Sequence, residues 1–137
     1  MKILIIGENN FNSLERIYKN NFLKLKCDKV KIISTLKPKN FFLKKILNFQ
    51  EKFFYFLYCL IQNLVLLKKL KKDKRYYDLV VVFNGYDLFK NTIKNIKAKS
   101  LNSTINLQTD NIFVKKNLLK ENLKLFDKIY IWSKEIQ

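Results

Sequence analysis

Five short apolar segments, separated by stretches with helical spacing, constrain this chain more than any other feature. They are Lys2–Ile6 (KILII), Lys29–Ile33 (KVKII), Asp78–Phe83 (DLVVVF), Thr104–Leu107 (TINL) and Lys128–Trp132 (KIYIW). Each is strand-length and rich in Val, Ile or aromatic residues. Ile3–Ile6 and Leu79–Phe83 are continuous rather than alternating, as expected of strands covered on both faces. Between the segments, Leu14, Ile17, Tyr18 and Phe22 fit one helical stripe, with Asn12 or Ser13 as cap and Glu15 in the first turn. Ile93 and Ile96 follow Asn91 at helical spacing, and Val114, Leu118, Leu119 and Leu123 make another stripe. These gaps are too long for hairpin turns, so parallel strands joined by right-handed crossovers are the natural solution. The expected fold is α/β, a three-layer sandwich of the Rossmann-like or flavodoxin-like kind with a parallel five-stranded sheet. With 137 residues and no internal repeat or linker, residues 1–137 are expected to form a single domain.

Composition narrows the chemistry. Two Gly and one Pro argue against most all-β designs, which need many turn residues. The chain has no His, which excludes Ser-His-Asp and Cys-His catalysis within it, and zinc sites built on His. Cys27 and Cys59 are too few for a four-thiolate site or a disulfide framework and read as reduced thiols. No metal or cofactor site is expected. A net charge of +17 should attract anions. Nucleic acid is disfavoured as a partner, because the aromatics cluster on one apolar helix and Lys far outnumbers Arg. The N-terminus lacks the apolar run of a signal peptide, and no uncharged stretch reaches the roughly 20 residues needed to span a bilayer. The expected location is cytoplasmic, with a peripheral contact to the inner face of the membrane.

That membrane expectation comes from an unusual connection. About forty residues separate the second and third strands, more than a crossover requires. Beyond Pro38, the residues Ile46, Phe49, Phe53, Leu57, Leu60, Leu64 and Leu67 repeat at three and four. Lys44, Lys45, Glu51, Lys52, Gln62 and Asn63 fall opposite. A long amphipathic crossover helix, or two broken near Asn48–Gln50, is expected, ending in the basic run Lys68–Arg75. Phe41, Phe42, Phe54, Tyr55, Phe56 and Tyr58 surround it more fully than one buried stripe needs. With Lys44, Lys45, Lys68 and Lys69, these aromatics suit an anionic lipid surface or a partner protein.

In open parallel sheets, ligands bind beyond the carboxyl ends of the strands. The residues there are polar: Gly7-Glu8-Asn9-Asn10, Ser34-Thr35, Asn84-Gly85-Tyr86-Asp87, Gln108-Thr109-Asp110-Asn111 and Ser133. Both glycines sit among them, where Gly permits positive φ or close approach to a ligand. The dinucleotide fingerprint is absent, since Gly7 is followed by Glu8, Asn9, Asn10, Phe11 and Asn12. No Walker loop is present, and Glu8 with Asn84 does not make the acidic set of a receiver domain.

Three stretches resemble the N-terminal domain of GT-B glycosyltransferases, more closely the CgeB-like group. The opening Met1-Lys2-Ile3-Leu4-Ile5-Ile6-Gly7 looks like its first strand. Tyr77-Asp78-Leu79-Val80-Val81-Val82-Phe83-Asn84-Gly85 is similar to its D-L-V-x-V-F-x-G strand and turn, followed by a helix and a strand ending at Gln108-Thr109-Asp110-Asn111. Leu125–Lys134 resembles its Y-D-x-V-x-x-x-S ending. The resemblance implies an acceptor-side domain that receives a sugar acceptor. A nucleotide sugar would be held by a second domain or subunit that this chain lacks, as in a fragment or reduced member inactive alone. It implies Asp110 as the catalytic base, with Glu8 and Asp87 as the other carboxylates, and Gly7, Glu8, Asn9, Asn84, Gly85, Tyr86, Thr109 and Ser133 as substrate-binding residues. The alternative is a non-catalytic Rossmann-like module that pairs with a partner subunit or an anionic membrane surface.

Overall fold

A computed structural model describes residues 1–35, 53–109 and 120–131. Strands β1 (Lys2–Gly7), β2 (Lys29–Ser34), β3 (Tyr77–Phe83), β4 (Ser100–Gln108) and β5 (Lys128–Ile131) form one sheet in the order β2-β1-β3-β4-β5. Every pairing is parallel. Helices α1 (Leu14–Lys24), α2 (Phe53–Lys72) and α3 (Lys90–Lys97) follow β1, precede β3 and follow it, respectively. Short 3-10 turns occupy Gly85–Asp87 and Lys120–Leu125. The expected Rossmann-like sandwich is thus present, with the strand order shared by flavodoxin-like folds.

Apolar pattern explains the order. Ile3–Ile6 and Val80–Val82 are all buried, so β1 and β3 take central positions where both faces are covered. Register places Ile3, Ile5, Val30, Val81 and Phe83 on one face, where Tyr18 and Phe22 of α1 cover them. Leu4, Ile6, Val80 and Val82 point to the other face, under Leu66 and Leu70 of α2 and Ile93 and Ile96 of α3. Leu123 and Phe126, around the second 3-10 turn, complete that side. The chain leaves β1 toward β2 in one direction and runs from β3 to β5 in the other. Right-handed crossovers then put α1 and α3 on opposite faces.

Helix α2 reverses one expectation. Gln62 and Asn63 were expected outside, yet Asn63 is 1% exposed, whereas Leu64 is 57% exposed. The helix is apolar around most of its circumference, so periodicity alone could not choose a face. Hydrogen bonding chooses it. Asn63 donates through Nδ2 to the Asp87 carbonyl (2.9 Å) and accepts the Phe89 N–H at Oδ1 (2.9 Å). Those are bonds that a leucine could not supply. Leu66 and Leu70 follow Asn63 inward, and Phe56, Leu57, Leu60, Ile61 and Leu64 turn outward. The part of the expected helix before residue 53 lies outside the described residues, as do Phe41, Phe42, Lys44 and Lys45. So does the Val114–Leu119 stripe.

The amino end of the sheet is fastened by carboxylates. Asp73 closes α2 and is buried; it accepts Lys31 Nζ (2.6 Å), Arg75 Nε (2.9 Å) and the Tyr77 hydroxyl (2.7 Å). Burial alone would raise its carboxyl, but the hydrogen bonds from Arg75, Lys31 and Tyr77 outweigh burial and hold it well below the usual carboxylate range. Asp127, just before β5, accepts the backbone N–H and hydroxyl of Thr104 (2.7 and 2.6 Å) and Lys97 Nζ (2.5 Å). It thereby sets β5 against β4.

Candidate functional site

The strand order reverses between β1 and β3, so the loops after those strands diverge and open a crevice at the carboxyl edge. After β1, the backbone N–H of Glu8 donates to Glu15 Oε1 (2.8 Å), and Ser13 Oγ donates to the Glu8 carbonyl (3.4 Å). Glu15, expected in the first turn of this helix, is there, folded inward and buried. Its side chain fills the space a Cβ on Gly7 would need. Asn9 is exposed, and Asn10 Nδ2 donates to Glu8 Oε2 (3.0 Å).

After β3, Asn84 adopts left-handed backbone (φ 50°). Its side chain locks onto Thr109 beyond β4: Oδ1 accepts the Thr109 N–H (2.9 Å), and Nδ2 donates to Thr109 Oγ1 (3.0 Å). Gly85 has no positive φ; a Cβ there would strike Asn106 and Phe126. Both glycines therefore make room for the protein's own side chains. Asp87 accepts the Tyr55 hydroxyl, so α2 reaches the rim through Tyr55 as well as Asn63. Burial, and then the Asp87 carboxylate, push the Tyr55 phenol up and raise the Cys59 thiol to about 12.

A cleft of about 230 Å³ opens between α1 and the ends of β3, β4 and β5. Leu14 and Tyr18 of α1 form one wall. Phe83, Leu107, Gln108, Thr109, Tyr130 and Ile131 form the rest. Among the described residues, no charged side chain lines it. Beside it, Gln108 Nε2 donates to Asn106 Oδ1 (2.5 Å), both residues being buried. Gln108 Oε1 and Asn106 Nδ2 find no partner among the described residues, leaving unused hydrogen-bonding capacity at the strand end.

Of the residues expected to bind substrate, Thr109 lines this cleft and Asn84 braces it. Gly7 ends β1, Glu8 and Asn9 lie in the loop after it, and Gly85 is buried beneath the edge. Asp110 and Ser133 lie outside the described residues, as do the side chains of Tyr86 and Phe54. Tyr58 is half-buried and Lys68 exposed. Lys69 turns inward, its ammonium donating to the Ser34 carbonyl (2.6 Å). Sequence reasoning placed Gln108 on the rim but missed Tyr18, Asn106 and Tyr130. The alternation Thr104-Ile105-Asn106-Leu107-Gln108 was the available signal, since it marks a strand with a polar buried face.

Among the described residues, no group of three or more His, Cys, Asp or Glu is placed to hold a metal ion. No helix among them is long and apolar enough to cross a membrane. A scan against models of known families, and searches of curated proteins and of solved structures, find no match to this chain.

Proposed function

We propose that this chain is the acceptor-side, Rossmann-like domain of a glycosyltransferase of the GT-B kind, binding a neutral sugar acceptor at the carboxyl edge of its sheet. The observation that carries the reading is the lining of the cleft, which is uncharged among the described residues. Two phenols, Tyr18 and Tyr130, face it together with the Thr109 hydroxyl and the Gln108 amide. Hydroxyl and amide groups exchange hydrogen bonds with sugar hydroxyls, and aromatic faces cover the C–H surface of a ring. Its volume is below the roughly 300–1,000 Å³ of drug-sized pockets, so it suits one small ring rather than a nucleotide sugar. The donor would come from a second domain or subunit. Asp110, directly after Thr109 in sequence, is the proposed general base for the acceptor hydroxyl.

The test has two stages. Chemical-shift perturbation with a panel of neutral mono- and disaccharides should move Thr109, Gln108 and Tyr130 resonances. Tyr130→Ala should weaken the best ligand about tenfold. Transfer from nucleotide sugars should then require an added donor subunit and should be lost in Asp110→Asn. Saturating saccharide that leaves the Thr109 and Tyr130 signals unmoved would overturn the reading.

One observation favours a second reading, the interaction module. All four residues of β5 are exposed, and Ile129, Tyr130 and Ile131 form an apolar edge strand. Such an edge pairs readily with another chain. A partner subunit seated there would border the same cleft.

A further inference from the structure

We infer that the outward face of α2 is an interfacial membrane-docking surface for anionic lipid. At 100° per residue, Phe56, Leu57, Leu60, Ile61 and Leu64 fall within one arc of about 140°. All five are exposed. The same arc continues into Lys68, Lys71 and Lys72, also exposed. The opposite arc holds Cys59, Asn63, Leu66, Leu70 and the inward Lys69. The outer face is therefore apolar for its first turns and cationic for its last.

Charge decides the occupant. Phe53–Lys72 contains no acidic residue, and the whole chain carries +17. Lysine is depleted from the cores of protein interfaces, but it is favoured where apolar side chains enter a headgroup layer. There its alkyl stem lies against the apolar surface while the ammonium reaches lipid phosphate. Leu64, Leu67, Lys68, Lys71 and Lys72 already line one shallow groove, so the apolar and cationic parts adjoin. The proposal is independent of the sugar-acceptor reading.

The experiment is co-sedimentation of the full chain with vesicles of neutral phosphatidylcholine, and with the same vesicles containing about 30% phosphatidylglycerol, at physiological salt. Binding to the anionic vesicles alone is expected. Lys71→Glu/Lys72→Glu should reduce the partition coefficient at least about tenfold. The charge-matched pair Lys90→Glu/Lys94→Glu on α3 should leave it within about twofold. Leu60→Ser/Leu64→Ser, with circular dichroism confirming the fold, should also lose binding. Equal losses in both lysine pairs would show that net charge alone drives adsorption and would overturn the proposal. So would absence of anionic-vesicle binding, preference for DNA over vesicles, or a solution dimer that Leu60→Ser/Leu64→Ser dissociates.

Discussion

Both ends of the Asn84 amide hold Thr109 across the ends of β3 and β4, Oδ1 to its N–H at 2.9 Å and Nδ2 to its hydroxyl at 3.0 Å, from a backbone conformation that few residues other than glycine adopt. The pair fixes the turn that forms one wall of the cleft. Asn84→Ala removes both bonds and keeps the left-handed strain, so it should cost about 2–3 kcal/mol. Asn84→Gly relieves the strain and should cost less. Urea denaturation of the two variants checks the ranking.

The orientation of α2 makes two adjacent residues opposite in effect. Asn63→Leu leaves the Phe89 N–H and the Asp87 carbonyl without their partner and should destabilise by about 2–4 kcal/mol. Leu64→Ser changes an exposed position and should stay within about 0.5 kcal/mol. If the helix presented its Leu57–Leu64 stripe to the sheet, the two effects would exchange. Thermal melts of both variants decide it.

Lys26 follows the end of α1 with φ 59°, and its N–H donates to the Leu23 carbonyl. That is the place where glycine usually ends a helix. Lys26→Gly should therefore stabilise the protein by about 1 kcal/mol, read as a higher denaturation midpoint at unchanged slope.

Acid should weaken the fold through Asp73 and Asp127. Burial raises the Asp127 carboxyl, but hydrogen bonds from Lys97 and Thr104 bring it down to about 2, and Asp73 is held lower than usual by its own partners. Both carboxyls thus titrate below their unfolded range near 4. The folded state binds fewer protons, so its stability is fully present above that range and is lost as pH falls through it toward 2. Asp127→Asn should flatten this part of the stability–pH profile.

Cys59 is buried and its thiol pushed up to about 12 by burial and the nearby Asp87, so native protein at pH 8 should hold almost no thiolate there. Cys27 is half-exposed. Alkylation followed by mass spectrometry should modify Cys27 first and reach Cys59 only in denaturant.

The sheet was legible because Ile3–Ile6 and Leu79–Phe83 can be buried on both faces in few other ways, and because the intervening spacing excluded hairpins. The facing of α2 was not. Phe56, Leu57, Leu60, Ile61 and Leu64 offer as good an apolar stripe as Cys59, Leu66 and Leu70. The choice rests on the bonds of Asn63 to a loop more than twenty residues away. The site was half legible for the same reason. Polar residues after strands identified the rim and Thr109. Tyr18 and Tyr130 come from a helix face and an edge strand that only the assembled sheet brings beside Thr109. Glu15 illustrates the reverse case, an apparent helix-start carboxylate that serves as the filler opposite Gly7.

Helix α2 runs against the strands, from Tyr55 beside Asp87 down to Asp73 beside Tyr77. Twenty residues of helix span about 30 Å, whereas a six-residue strand spans about 20 Å. The helix is therefore longer than the strands it covers, like a beam bolted at its foot by Asp73, at mid-height by Asn63 and at its head by Tyr55. A load applied to its outer side would bear on the Asp87 loop through Tyr55, giving the far flank of the molecule a mechanical hold on the entrance to the sheet.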